Sequence, residues 1–263
     1  MRPDIGNYDW CENHQAKLTP IEKFAMIKML IQSQLKDTLG NVLFRMPLFS
    51  GKKIDLSFDE IRYPETHTVR MAEEYAKECF SEPLLYHCYR TYFWGALLGK
   101  SYGFKIDEEL LFVSSILHDL GISSKHIHKT GQCCFATTGA REAYQLVTNM
   151  GWHPDRAKKV YESISLHLNP VINEQVYGPE ARLVGEGATM DVLGAKSHRL
   201  SAAAIRAVHA KYARSGFTED ILHSITGVEH ALDTRPKLLS SMGFGVLARR
   251  NPLDRTEYNS PET

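Results

Sequence analysis

The chain has 263 residues, a hydrophobic content of 43% and 31 basic against 31 acidic residues. This balance gives no basic excess to draw nucleic acid, and no apolar run is long enough to span a bilayer. The sequence therefore reads as a soluble globular domain with neither a nucleic-acid nor a membrane partner.

The five cysteines, Cys11, Cys79, Cys88, Cys133 and Cys134, contain no CxxC pair, and vicinal Cys133-Cys134 is poor geometry for a structural disulfide. With no signal-peptide pattern at the start, a reducing cytoplasm is the expected compartment.

Thr19-Pro20-Ile21-Glu22 combines an N-cap, a first-turn proline and a glutamate three residues after the cap, which predicts a helix from Pro20 to about Lys36. Residues 40 to 65, with Pro47, Gly51 and Pro64, predict an irregular crossing segment. Helices follow over about His67–Phe80, from Pro83 to Ser101, and from near Asp107 to His118. Further helices are expected over Ala140–Met150, Pro154–His167, Pro179–Leu193, Ala202–Arg214 and Glu219–Leu232. No stretch alternates as a strand would, so the expected fold class is all-α. Residues 249–263 are polar, carry Pro252 and Pro261, and are expected to fray or lie on the surface.

The most informative stretch is Leu110-Leu111-Phe112-Val113-Ser114-Ser115-Ile116-Leu117-His118-Asp119-Leu120-Gly121. A largely apolar helix delivers an adjacent His-Asp pair to its C-terminal end. Burying a carboxylate beside an imidazole is costly unless a charge or a metal compensates, and this ligand mixture suits zinc, iron or manganese. The other candidates are weaker taken one at a time. His87 shares a helical face with Leu84, Thr91 and Trp94, as a core histidine would. Asp191 lies on a stripe with Val184, Gly187 and Ala188, where a lone aspartate is more often a cap or a salt-bridge partner.

Together, His87, His118, Asp119 and Asp191 stand in the order H…HD…D, which resembles the HD superfamily of metal-dependent hydrolases. Within it, Tyr86-His87-Cys88-Tyr89-Arg90-Thr91-Tyr92-Phe93-Trp94-Gly95, Leu117–Gly121, Phe135–Ala140, Ser165-Leu166-His167 and Gly187–Ala195 are similar to segments of the cyanamide hydratase-like branch. Two positions depart from that branch. Tyr86 stands where it carries Asn, and His167 is followed by Leu168-Asn169 rather than an acidic pair.

The resemblance implies an HD-domain helical bundle over residues 61–248, preceded by an N-terminal helical extension (1–60) and followed by the polar tail (249–263). It implies one divalent metal ion, Zn2+ or Fe2+ ahead of Mn2+, held by His87, His118, Asp119 and Asp191. It also implies a metal-dependent hydrolase or hydratase that adds water to a small polar, nitrile-like molecule.

In that reading Asp119 both ligates and orients the water, while His167 or Thr189 donates a hydrogen bond to the developing negative charge. His167 also reads as a helix-end histidine interacting with the dipole, or as a fifth ligand. Arg90, one turn after His87, could pair with a buried carboxylate or reach toward substrate. Lys125, His126, His128 and Lys129 form either a solvated loop or a cationic rim, and the rim would favour the alternative of an HD-type phosphohydrolase. A further alternative is a non-catalytic helical protein with a structural metal. The expected partner is a small-molecule substrate, and a homo-oligomer stays open.

Overall fold

The computed structural model describes residues 4–46, 53–55, 61, 64–130 and 133–259. Its α-helices run in the order α1 (Tyr8–Asn13), α2 (Pro20–Arg45), α3 (His67–Cys79), α4 (Glu82–Tyr102), α5 (Glu108–Leu117), α6 (Phe135–Asn149) and α7 (Pro154–Leu166). There follow α8 (Glu174–Leu193), α9 (Ala202–Lys211), α10 (Phe217–Thr226), α11 (Arg235–Ser241), α12 (Phe244–Ala248) and α13 (Thr256–Asn259). The fold is all-α. The described residues hold no strand, only an isolated parallel bridge between Ile54 and Leu200, and none of their helices is long and apolar enough to cross a membrane.

Local chemistry sets the helix starts. Thr19 and Glu22 form a reciprocal capping box at α2, with Pro20 in its first turn. Asp107 caps α5 by accepting from the Leu110 amide, and Pro154 opens α7. α8 carries a break at Gly178, whose φ of 86° only glycine adopts freely; beyond it the long segment starts at Pro179. α4 and α8 both end on glycines in the left-handed region, Gly103 and Gly194.

Several boundaries differ from expectation. α2 continues to Arg45 instead of stopping near Lys36, because no proline interrupts the segment. The remainder of the segment expected to be irregular, after residue 46, lies largely outside the described residues. α6 starts at Phe135, so Thr137, Thr138 and Gly139 are helical. The short α1 gives too little periodicity to be seen in the sequence, and it is capped by Asn7. The tail is not frayed over residues 249–259: Asn251 and Leu253 are buried, and Asn259 donates to the Leu253 and Arg255 carbonyls.

The main core is an apolar cluster centred on α4, α5 and α8, to which Trp10 and Cys11 of α1 belong, and Leu166, Ile172 and Ala181 form a smaller second cluster. In α5, Leu111, Phe112, Val113, Ile116 and Leu117 are fully buried, each worth roughly 1.5–3 kcal/mol if it were otherwise exposed. α4 and α8 form the most extensive helix pair. Their close approach needs glycine: a Cβ at Gly187 would overlap the Thr91 carbonyl, and one at Gly95 would sit 2.9 Å from the Leu183 carbonyl oxygen.

Candidate metal centre

Three chain segments converge in the core. α4 supplies His87 from its second turn. α5 ends at Leu117, so His118 is its C-cap and Asp119 follows with φ −102° and ψ 15°, before a 3₁₀ turn over Leu120–Ile122. Gly121 lets this turn press against α6, since a Cβ there would overlap the Phe135 carbonyl. α7 ends at Leu166 and presents His167 as its C-cap.

All of these side chains are buried: His87 and His118 are 1% exposed, Asp119 3% and His167 6%. One donor atom from each of His87, His118 and Asp119 falls within 4.8 Å of the other two. His87 Nε2 lies 3.1 Å from His118 Nε2, and Asp119 Oδ2 lies 3.5 Å and 3.3 Å from these nitrogens. His167 Nε2 stands 3.8 Å from the other Asp119 oxygen, beyond direct hydrogen bonding.

The remaining ring nitrogens fix the tautomers. His118 Nδ1 is 2.7 Å from the Ser115 carbonyl and His167 Nδ1 is 2.6 Å from the Ile164 carbonyl. Carbonyls only accept, so both Nδ1 atoms carry protons and, in the neutral rings, both Nε2 atoms are bare. His87 Nδ1 donates to Asp191 Oδ2 at 2.8 Å, which leaves its Nε2 bare as well.

Two imidazole lone pairs and a carboxylate therefore face one another with no donor among them. A cation or an added proton stabilises that set, and two imidazoles with one carboxylate suit a divalent transition metal. The protonation tendencies agree. Burial opposes charge on His118, yet the Asp119 carboxylate prevails and holds its pKa well above the ordinary value. Burial likewise opposes charge on Asp119, and the His118 charge holds it well below the usual carboxylate range. Burial lowers the pKa of His87 in spite of the pull of Asp191. His167 is pushed down to about 3, by burial and then by the His118 charge, so it is neutral near pH 7.

Asp191, expected among the ligands, is placed behind His87. Its Oδ1 accepts from Arg90 Nε at 2.9 Å and Trp94 Nε1 at 2.8 Å, and lies 3.0 Å from the Arg214 guanidinium. Its Oδ2 accepts from Arg90 and His87. Burial opposes its charge, but the Arg90 and Arg214 guanidiniums hold its pKa well below the ordinary value. With both oxygens occupied, Asp191 orients the His87 ring and balances two buried cations. Of the two roles open to Arg90, this geometry realises the pairing with a buried carboxylate.

Thr189 is half-buried and off the face of Asp191, one turn after Gly185, which lies against His167. Lys125 sits over the Tyr75 ring and 3.5 Å from Glu78, and Lys129 pairs with Glu142 at 2.7 Å. His126 is buried against the Tyr75 hydroxyl at 2.9 Å.

Sequence reading missed several supporting residues. Trp94 reads as plain core, although its spacing of seven from His87 puts both on one face of α4. Arg214 and Asn251 both donate to the Asp191 carbonyl at 2.7 Å, from segments with no local signal. Arg235, fully buried, donates to Ser165 O and Asn169 Oδ1, one on each side of His167.

The architecture is thus all-α, with a buried His-His-Asp cluster that could hold a metal. No family model matches the chain. It is similar to two proteins of Saccharomyces cerevisiae, Cyanamide hydratase DDI2 and Cyanamide hydratase DDI3, at 29% identity over 107 residues. The match covers 40% of this chain and 47% of each yeast protein, so the chain spans about half the length of the curated relatives it matches. This similarity supports a cyanamide hydratase-like relationship.

Proposed function

We propose that this protein is an HD-type metal-dependent hydratase that adds water across the carbon–nitrogen triple bond of a small nitrile-like molecule such as cyanamide. The observation that carries the reading is the buried, donor-free convergence of His87 Nε2, His118 Nε2 and the Asp119 carboxylate. The yeast similarity points to the same reaction class. Residues 61–248 would form the HD-type domain.

His87, His118 and Asp119 would hold one divalent ion, with zinc or ferrous iron the best match to two imidazoles and a carboxylate. Such an ion supplies Lewis acidity, lowering the pKa of water and polarising the electrophile. Three protein ligands leave coordination positions open, which favours catalysis over a closed structural site.

His167, neutral and bare at Nε2, accepts a proton from the attacking water; in this tautomer it is an acceptor and not the donor expected from the sequence. The new C–O bond forms at the nitrile carbon while the nitrile nitrogen takes up the proton that left the water through His167, giving isourea, and a second proton shift from oxygen to nitrogen gives urea. Asp119 keeps one oxygen toward His167 and can orient the water between them.

Enclosure favours this reaction over phosphoester hydrolysis. The cluster side chains are at most 6% exposed, which suits a molecule of a few atoms better than a nucleotide. Lys125 and Lys129, which would bind a phosphate, are matched with Glu78 and Glu142.

The test is metal analysis of protein purified without chelator, followed by a urea-formation assay with cyanamide. Activity that is lost on chelation and restored by zinc or ferrous iron is expected. A metal-loaded protein that makes no urea would overturn the reading.

A further inference from the structure

Among the described residues, nothing covers the outer face of α2. Taken from Ile21, alternating steps of three and four residues select Ile21, Phe24, Lys28, Ile31, Leu35, Thr38 and Val42. This is the a/d spacing of a coiled-coil seam. Ile21 is 69% exposed, Phe24 71%, Ile31 46%, Leu35 64% and Val42 54%, with Leu39 beside them at 58%.

The opposite face is the one that packs inward. Met26 is buried, Ser33 donates to the Pro170 carbonyl, Asp37 accepts from the Lys196 amide, and Phe44 meets the His198 ring. These inward positions are displaced by two residues from the seam, about 200° round the helix, so seam and inner face point in opposite directions. The helix is 26 residues, or about 39 Å, and carries apolar side chains on both its inner and its outer face.

From this geometry we propose that α2 is a homodimer interface, in which the outer seam pairs antiparallel with the same seam of a second copy. Three observations single out a second copy. First, an antiparallel pairing about a two-fold axis at position 33 is self-complementary. It sets Phe24 against Val42, Ile31 against Leu35 and Lys28 against Thr38, and each pair occurs twice. A parallel pairing would set Lys28 against its own copy, two like charges within an apolar seam.

Second, the exposed apolar side chains sum to on the order of 800 Å², above the few hundred Å² that monomers commonly leave uncovered and matching one partner's share of a standard interface. Third, the chain carries no net charge, so no long-range repulsion keeps copies apart.

The experiment is sedimentation equilibrium on the full chain at micromolar concentration. Wild type should give twice the chain mass of 29.8 kDa. The double variant Ile31→Glu/Leu35→Glu should give the single mass, with unchanged helical circular dichroism and melting temperature at limiting dilution. If that variant fails to fold, Val42→Lys, one change near the end of the seam, should weaken the dimer at least tenfold. A monomeric wild type over the whole concentration range would show that another segment or another protein covers α2, and would overturn the proposal. A variant that folds and stays dimeric would overturn it equally. Either result leaves the metal-site reading untouched, because that reading rests on other residues.

Discussion

Asp191 accepts the Nδ1 proton of His87 at 2.8 Å, and this one bond turns the other ring nitrogen toward His118 and Asp119. The carboxylate acts at one remove. It fixes a tautomer and a ring orientation while balancing Arg90 and Arg214, which would otherwise be buried positive charges.

Asp191→Asn should therefore destabilise the fold, by about 3–5 kcal/mol, since it leaves two buried guanidiniums without their anion. Metal affinity should fall by roughly 10–100-fold through loss of the ring orientation. Asp119→Ala should behave the other way, losing the metal while the helical fold stays. Denaturant titration and metal analysis of the two variants check this. A stable, metal-free Asp191→Asn protein would restore Asp191 to the ligand set.

His167 should be needed for turnover and not for metal binding. His167→Ala should keep metal content and melting temperature nearly unchanged while kcat falls roughly 10²-fold or more, the usual loss for a positioned acid–base group. If metal affinity falls in step with activity, His167 is a fourth protein ligand. If stability alone changes, by about 0.3–1 kcal/mol, its role is confined to the helix end.

His209 should make the fold acid-labile. It is buried, its Nε2 has no hydrogen-bond partner, and its ring stands edge-on to Trp94. Burial drives its pKa down to about 4, with the Arg214 and Arg90 charges adding to the effect and Asp191 opposing it. Unfolded, the same ring titrates near pH ~6.5. Between these values the unfolded chain holds a proton that the fold does not, so stability falls as pH drops. The contribution is complete above about pH 6.5 and lost by about pH 4, with a slope of up to ~1.4 kcal/mol per pH unit. His209→Phe should flatten the measured slope in that window; an unchanged slope would show that His209 is not its source.

The sequence by itself determined the helical class, the start of most helices and the delivery of His118 and Asp119 into the core. Each of these is written locally. Caps and first-turn prolines mark helix starts, as at Thr19-Pro20 and Pro154, and a largely apolar run announces that His118 and Asp119 will be carried into the core.

Only the tertiary structure decided which way each polar atom points. Asp191 reads as a ligand from its order in the chain, and it becomes a supporting carboxylate because Arg90, Trp94 and Arg214 occupy its Oδ1 and Arg90 and His87 its Oδ2. Arg214 and Asn251 reach it from 23 and 60 residues away along the chain, a closure set by packing that no local pattern encodes. His167 changes from expected donor to acceptor because its Nδ1 meets the Ile164 carbonyl of its own last turn. Buried polar groups must be paired, and which partner is nearest is a property of the folded core, not of neighbours in the chain.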